Sequence, residues 1–149
     1  MESTDVLVIG SGIAGLCAAI EAASAGATVA VASAGKTMSG SSFFPGTWGL
    51  GLIGPVDEDD EQDLINTIQT VGGGVADPTL VQTFVHCIPK AIEWLEQDLG
   101  VELQRPQSAK SAQQKQFIPC FDHKTRMWRG LTRKPLENAL TNRIESLGI

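Results

Sequence analysis

Val6-Leu7-Val8-Ile9-Gly10-Ser11-Gly12-Ile13-Ala14-Gly15 is the stretch on which the reading of this chain turns. A short apolar run rich in β-branched residues enters a Gly-x-Gly-x-x-Gly turn, and an alanine-rich segment follows as far as Ala25. The run predicts a buried strand and the alanine-rich segment a helix. Strand, glycine turn and helix in that order are what the dinucleotide-binding motif requires. Gly10 permits the tight turn, Gly12 leaves room for a pyrophosphate to approach the backbone, and Gly15 lets the helix pack closely on the strand. The backbone amides of Ser11, Ile13 and Ala14, at and beside the helix start, then face an anion.

The flanking residues agree with this reading. Ala19 falls where a small residue suits the helix, Gly26 ends the helix, and Thr28 to Ala32 reads as a second buried strand. The motif usually places an acidic residue at the end of that strand to accept hydrogen bonds from a ribose. Ser33 stands there instead. A hydroxyl bonds one ribose oxygen but lacks the charge-assisted grip of a carboxylate, which argues against a simple NAD dehydrogenase. Beyond it, six glycines between Gly35 and Gly54 alternate with Ser39, Ser41, Ser42, Thr47, Phe43, Phe44 and Trp48. Glycine admits backbone to a ligand, hydroxyls bond its heteroatoms, and aromatic rings cover an apolar surface, so this reads as a cofactor loop.

Asp5 to Lys36 resembles the amino-terminal FAD-binding unit of the succinate dehydrogenase, fumarate reductase and L-aspartate oxidase flavoproteins, which often carry serine or threonine at the position of Ser33. Gly40-Ser41-Ser42-Phe43-Phe44 is similar to the Gly-Ser-Thr-Phe-Tyr loop of aspartate oxidases. The resemblance implies an α/β, Rossmann-like FAD-binding βαβ unit with a helical insertion, incomplete at its carboxyl end. It implies FAD held by Gly10, Ser11, Gly12, Ile13, Ala14, Gly15, Ser33, Gly40, Ser41 and Ser42. Covalent members have a histidine where Ser41 aligns, so non-covalent FAD is implied. The family's Ala-Gln-Gly-Gly continuation is replaced here by Pro45-Gly46-Thr47-Trp48-Gly49-Leu50-Gly51, a departure beside the flavin that separates this chain from the usual succinate and fumarate users.

The acidic run Asp57 to Asp63 lacks the spacing and the glycine of a calcium loop. It reads as the start of a helix with an apolar stripe of Leu64, Ile65, Ile68 and Val71, ended by Gly72-Gly73-Gly74. Asp77-Pro78 caps another helix whose predicted buried face is Leu80, Val81, Phe84, Val85 and Ile88. Pro89 is expected to kink or restart it, with Ile92, Trp94, Leu95 and Leu99 buried beyond and Gly100 as the C-terminal cap. His86 and Trp94 read as core or helix-surface residues without a chemical role.

Residues 104–116 read as an exposed polar loop. Cys120, Asp122, His123, Lys124, Arg126, Trp128 and Arg129 then form a mixed cluster in which His123 is the side chain suited to titrate near neutrality. The family has a Thr-Gly-His helix start here; Thr132-Arg133-Lys134-Pro135 replaces it, and no family role is carried over. Pro135 is expected to open a helix with Leu136, Ala139, Leu140, Ile144 and Leu147 apolar and Gly148 as its cap, and Ile149 to begin a strand.

Composition bounds the rest. The chain has 149 residues, 42% apolar and 19% charged, which suits one globular domain. Cys17, Cys87 and Cys120 are an odd number at wide spacing and read as free thiols, with no zinc site. No apolar run reaches the ~18–20 residues of a membrane span, and an acidic amino end is unlike a signal peptide, so a cytoplasmic location is expected. The net charge of −6 conceals −11 over residues 1–100 and +5 over residues 101–149. An acidic molecule with scattered bases is a poor ligand for nucleic acid.

The sequence is therefore expected to be the amino-terminal part of an FAD-binding domain. Residues 1–56 would form the βαβ unit and flavin loop, 57–100 a helical segment, and 101–149 a loop and closing helix, with the remaining cofactor domain and the substrate domain, and the catalytic residues, lying elsewhere. The resemblance implies a full-length oxidoreductase acting on a small anionic metabolite such as a dicarboxylate, the isolated part being inactive, with a partner subunit or homo-oligomer open. A subunit of an anaerobic glycerol-3-phosphate dehydrogenase and a non-catalytic nucleotide- or partner-binding module are the alternatives.

Overall fold

The computed structural model describes residues 3–44, 50–106 and 126–149. They divide into two compact units, one built from residues 1–50 and 132–149 and the other from residues 51–131.

In the first unit, β1 (Val6–Ile9) and β2 (Val29–Ala32) pair in parallel, with Val6 opposite Val29 and Ile9 opposite Ala32. Parallel neighbours need a crossover, and α1 (Ile13–Ser24) supplies it. Both ends of the pair are tied. Thr28 O accepts from the amides of Asp5 and Val6, and Gly10 N–H donates to Ala32 O at 2.8 Å. Leu16, Ala19 and Ile20 form the buried face of α1. Gly26, at φ +95°, reverses the chain after it. A 3-10 turn, Ser41–Phe43, buries Phe43.

The closing helix α4 (Arg133–Leu147) packs against α1, burying Leu136 and Leu140, and Arg143 donates to Ser24 Oγ at 3.2 Å. It begins two residues earlier than the proline signal suggests. Proline fits the third position of a helix because the first amides have no intrahelical acceptor anyway. Gly148, left-handed at φ +71°, caps it as predicted. The N–H of Ile149 donates to Ile144 O and closes the end of the helix. On β1, Leu7 and Ile9 are exposed.

In the second unit, α2 (Glu58–Val71) and α3 (Pro78–Glu93) form a helical hairpin around Leu64, Ile65, Val81 and Val85. Asp57 caps α2 by accepting from Asp60 N–H at 2.9 Å, and Asp77 caps α3 by accepting from Thr79 and Leu80 N–H. The predicted stripes are too wide. Leu80 and Phe84 are exposed, as is Val71 at the last turn of α2. Two helices in contact bury one row each, and Val81, Val85 and Ile88 occupy that row on α3. The helix does not restart at Pro89; it runs through it to Glu93 and then passes into one turn of π-helix, Trp94–Asp98. Of the residues expected to be buried beyond it, Leu95 is buried and Ile92, Trp94 and Leu99 are half-buried. Gly100 ends this segment at φ +66°.

β3 (Leu50–Gly54) pairs with β4 (Met127–Leu131). Gln104, expected in the polar loop, instead bridges Gly130 through two backbone hydrogen bonds of 2.7 and 2.8 Å. Arg126 is completely buried and reaches into the acidic run. Its Nη1 donates to the backbone O and the carboxylate of Asp60, and its Nη2 to Asp63 Oδ2 at 2.9 Å. The acidic run thus starts a helix, as its composition indicates, and also holds a buried cation.

Candidate functional site

The Gly10–Gly15 turn joins β1 to α1, and its three glycines are glycine for different reasons. Gly10 adopts φ +110°, a backbone conformation that side chains resist. At Gly15, a Cβ would lie 2.1 Å from Gly10 O, so helix and strand can meet only because it is absent. Gly12 fits neither account. Its φ is −76°, and a Cβ there would meet nothing nearer than Gly40 Cα at 4.0 Å. The fold does not require a bare backbone at this position. A ligand resting on the turn does, because a methyl group would stand in its way.

Gly12 is also the N-cap of α1, and no side chain caps that end. The first amides of a helix left without a side-chain partner attract an anion. Gly40 closes on the same point from the other side, where a Cβ would fall 3.2 Å from Gly12 Cα. Met38 N–H donates to Ser11 O at 3.1 Å, which fastens the loop after β2 to the turn. Gly10 to Gly15 and Gly40 are therefore brought together. Ser41 and Ser42 follow in the 3-10 turn, Ser41 exposed and Ser42 half-buried.

Ser33 lies at the end of β2, exposed, and its Oγ accepts a 2.8 Å hydrogen bond from the buried Ser11 Oγ. The sequence motif gives the Ser11 backbone a task but not its hydroxyl; the pairing of two hydroxyls 22 residues apart is visible only in the folded chain. Ser33 Oγ also accepts from Gly35 N–H at 3.5 Å, which leaves its own hydroxyl hydrogen to donate to a ribose oxygen. Cys17, two residues after Gly15 on α1, is partly buried, and burial raises its thiol pKa, with Glu21 adding to the effect. That thiol is a poor nucleophile.

The residues of the second cluster fare differently. Cys120, Asp122, His123 and Lys124 lie outside the described residues. Arg126 is engaged with Asp60 and Asp63 in a structural role. His86 pairs with Glu61 on an exposed helix surface. Among the described residues no group of acidic, histidine and cysteine side chains could hold a metal ion, and no helix is long and apolar enough to cross a membrane.

Comparison with known proteins agrees with the geometry of the turn. Residues 5–143 match the FAD binding domain family. The chain is 29% identical over 112 residues to 4-oxocyclohex-2-ene-1-carboxylate 5-dehydrogenase of Sinomonas cyclohexanicum, covering 73% of this chain and 19% of that protein. It is 41% identical over 91 residues to L-aspartate oxidase of Halobacterium salinarum (strain ATCC 700922 / JCM 11081 / NRC-1), covering 61% and 17%. In fold it is similar to the open conformation of a flavocytochrome c3 fumarate reductase, with a TM-score of 0.66 at 23% identity, over 99% of this chain and 26% of that one. The matched region thus spans between 17% and 26% of the length of these relatives.

Proposed function

We propose that this chain, which belongs to the FAD binding domain family, holds the ADP half of FAD non-covalently and serves a flavoprotein oxidoreductase of small carboxylates. The observation that carries the proposal is Gly12, bare of a side chain where neither backbone angle nor packing requires it. In this reading the pyrophosphate rests on the turn from Gly10 to Gly15, against the amides at the start of α1. Gly40, Ser41 and Ser42 approach it from the loop, and Ser33, oriented by Ser11, bonds the adenine ribose. Bound flavin supplies the two-electron chemistry, and the protein binds and orients it.

The substrate class is drawn from the relatives, whose names specify a cyclohexene carboxylate, aspartate and fumarate. All are small carboxylates. The test is an absorption spectrum of the full-length protein before and after acid denaturation. Flavin bands near ~450 nm that separate from the protein on denaturation support non-covalent FAD, and bleaching of those bands by dicarboxylates supports the substrate class. A colourless protein that takes up no added FAD overturns the reading.

A further inference from the structure

We propose that an exposed apolar seam on α3 docks against the same seam of a second copy of this chain, with the two helices antiparallel. The seam consists of Leu80, Phe84, Cys87 and Ala91, and it lies wholly in the second unit.

The intervals between these residues, four, three and four, keep them on one face of a helix. All four are exposed, Leu80 at 69% and Phe84 at 60% of their full surface. The helix therefore has three sectors. Val81, Val85 and Ile88 form the buried row, and Val81 and Val85 meet α2. Thr79, Thr83, His86 and Lys90 form an exposed polar row, as suits a solvated face. The seam runs between them and carries no charge. Single apolar side chains on a surface need no explanation, but a leucine and a phenylalanine one turn apart, continued by Cys87 and Ala91, make a contiguous patch. Intervals of three and four are those of a helix that packs lengthwise on another helix.

The surface that fits this seam is the seam itself. Its two large side chains stand toward the amino end of α3 and its two small ones toward the carboxyl end. A second copy turned end for end sets Ala91 opposite Leu80 and Cys87 opposite Phe84, and each layer then pairs one large side chain with one small one. Facing rows interdigitate without voids in that arrangement. A parallel copy stacks phenylalanine on phenylalanine and leaves a gap where alanine faces alanine. Charge selects the same orientation. Asp77 caps the start of α3, and Lys90 stands in its last turn. Reversal brings Lys90 of each copy toward the Asp77 end of the other and opposes the two helix dipoles, whereas a parallel copy sets like beside like. A patch complementary to itself about a two-fold axis is what an isologous dimer requires. A single helix pair is a small interface, so a dimer with a Kd on the order of micromolar is expected.

The proposal stands apart from the nucleotide reading, since no residue of α3 belongs to the glycine turn. The test is sedimentation velocity of the full-length protein over a concentration series, with circular dichroism and thermal melting of each variant. A concentration-dependent dimer is expected. Phe84→Glu puts a carboxylate into the seam of each copy and is expected to weaken association at least tenfold while folding as wild type. Leu80→Ala empties a layer and Ala91→Leu crowds it, so each alone is expected to weaken the dimer. Both together in one chain exchange large for small within the layer and are expected to restore it. Residues 80 and 91 are about 16 Å apart along their own helix, so compensation between them has to pass through the second copy. A protein that stays monomeric overturns the proposal; if Phe84→Glu then lowers its melting temperature, another part of the same polypeptide covers the seam. A dimer indifferent to Phe84→Glu has its interface elsewhere and overturns it equally. Failure of the double substitution to restore association overturns the antiparallel pairing. None of these readouts depends on bound flavin, so the nucleotide reading and this one fail separately.

Discussion

Ser11 and Ser33, which flank the two ends of the α1 crossover, are joined by a 2.8 Å hydrogen bond between their side-chain oxygens. Ser11 is buried and Ser33 exposed, so the bond runs from the interior to the surface where a ribose would lie. Ser33→Ala deprives a buried hydroxyl of its acceptor and is expected to cost about 1 kcal/mol of stability and to weaken FAD binding. Ser11→Ala is expected to weaken FAD less, because Ser33 stays in place with its orientation relaxed. Urea unfolding and FAD titration of both variants check the order. Equal FAD affinities in wild type and Ser33→Ala would remove Ser33 from the site.

The glycines of the turn give a contrast that separates folding from binding. Gly15→Ala places a methyl group 2.1 Å from Gly10 O and is expected to abolish or severely destabilise the fold. Gly12→Ala meets nothing within 4.0 Å and is expected to fold as wild type while losing FAD affinity by tenfold or more. Circular dichroism and thermal melting, followed by FAD titration, read the two effects independently.

Arg126 supplies the clearest stability test in the second unit. Its guanidinium is fully buried between Asp60 and Asp63. Arg126→Ala leaves a cavity and removes the guanidinium that Asp60 and Asp63 share, and the expected loss is about 3 kcal/mol. A loss under about 1 kcal/mol in urea unfolding would mean that the pair does little for the fold. FAD affinity of the folded fraction is expected to be unchanged.

Asp5 predicts a dependence on acid. Its carboxylate accepts hydrogen bonds from the Thr28 hydroxyl and the Thr28 N–H, which hold its pKa below the ordinary value of 3.8. A carboxyl whose folded pKa is depressed adds stability above its unfolded pKa and loses it as pH falls through the folded one. The wild type is therefore expected to lose this contribution below about pH 3.8, and Asp5→Asn to lack the loss. Melting temperatures of the two proteins between pH 2 and pH 6 give the comparison; a constant difference across that range would rule out the Asp5–Thr28 contribution.

Much of this was legible in the chain before it was folded, and the reasons are local. The Gly10–Gly15 turn, the acidic start of α2, the Asp77 cap and the Gly148 terminus each depend on neighbours within a few residues. Periodicity also found the helices, but it overstated their buried faces: Leu80 and Phe84 look like core residues until one knows that α3 packs on α2 through Val81 and Val85. The rest required distant partners. Nothing near Ser11 announces Ser33, and nothing near Arg126 announces an acidic run more than 60 residues earlier. The Rossmann-like class was correctly read because the strand, turn, helix and second strand are contiguous, whereas the role of Arg126 is set by long-range pairing.

The first unit is assembled from two stretches of chain, residues 1–50 and 132–149, with the whole second unit synthesised between them. On a ribosome adding about 5–20 residues per second, α1, complete at Ser24, waits roughly 6–25 s for the helix that covers it, complete at Leu147. During that interval Leu16, Ala19 and Ile20 have β1 and β2 but not Leu136 and Leu140. The nascent chain is then a natural client for a chaperone, and slow codons between the two stretches would lengthen its exposure.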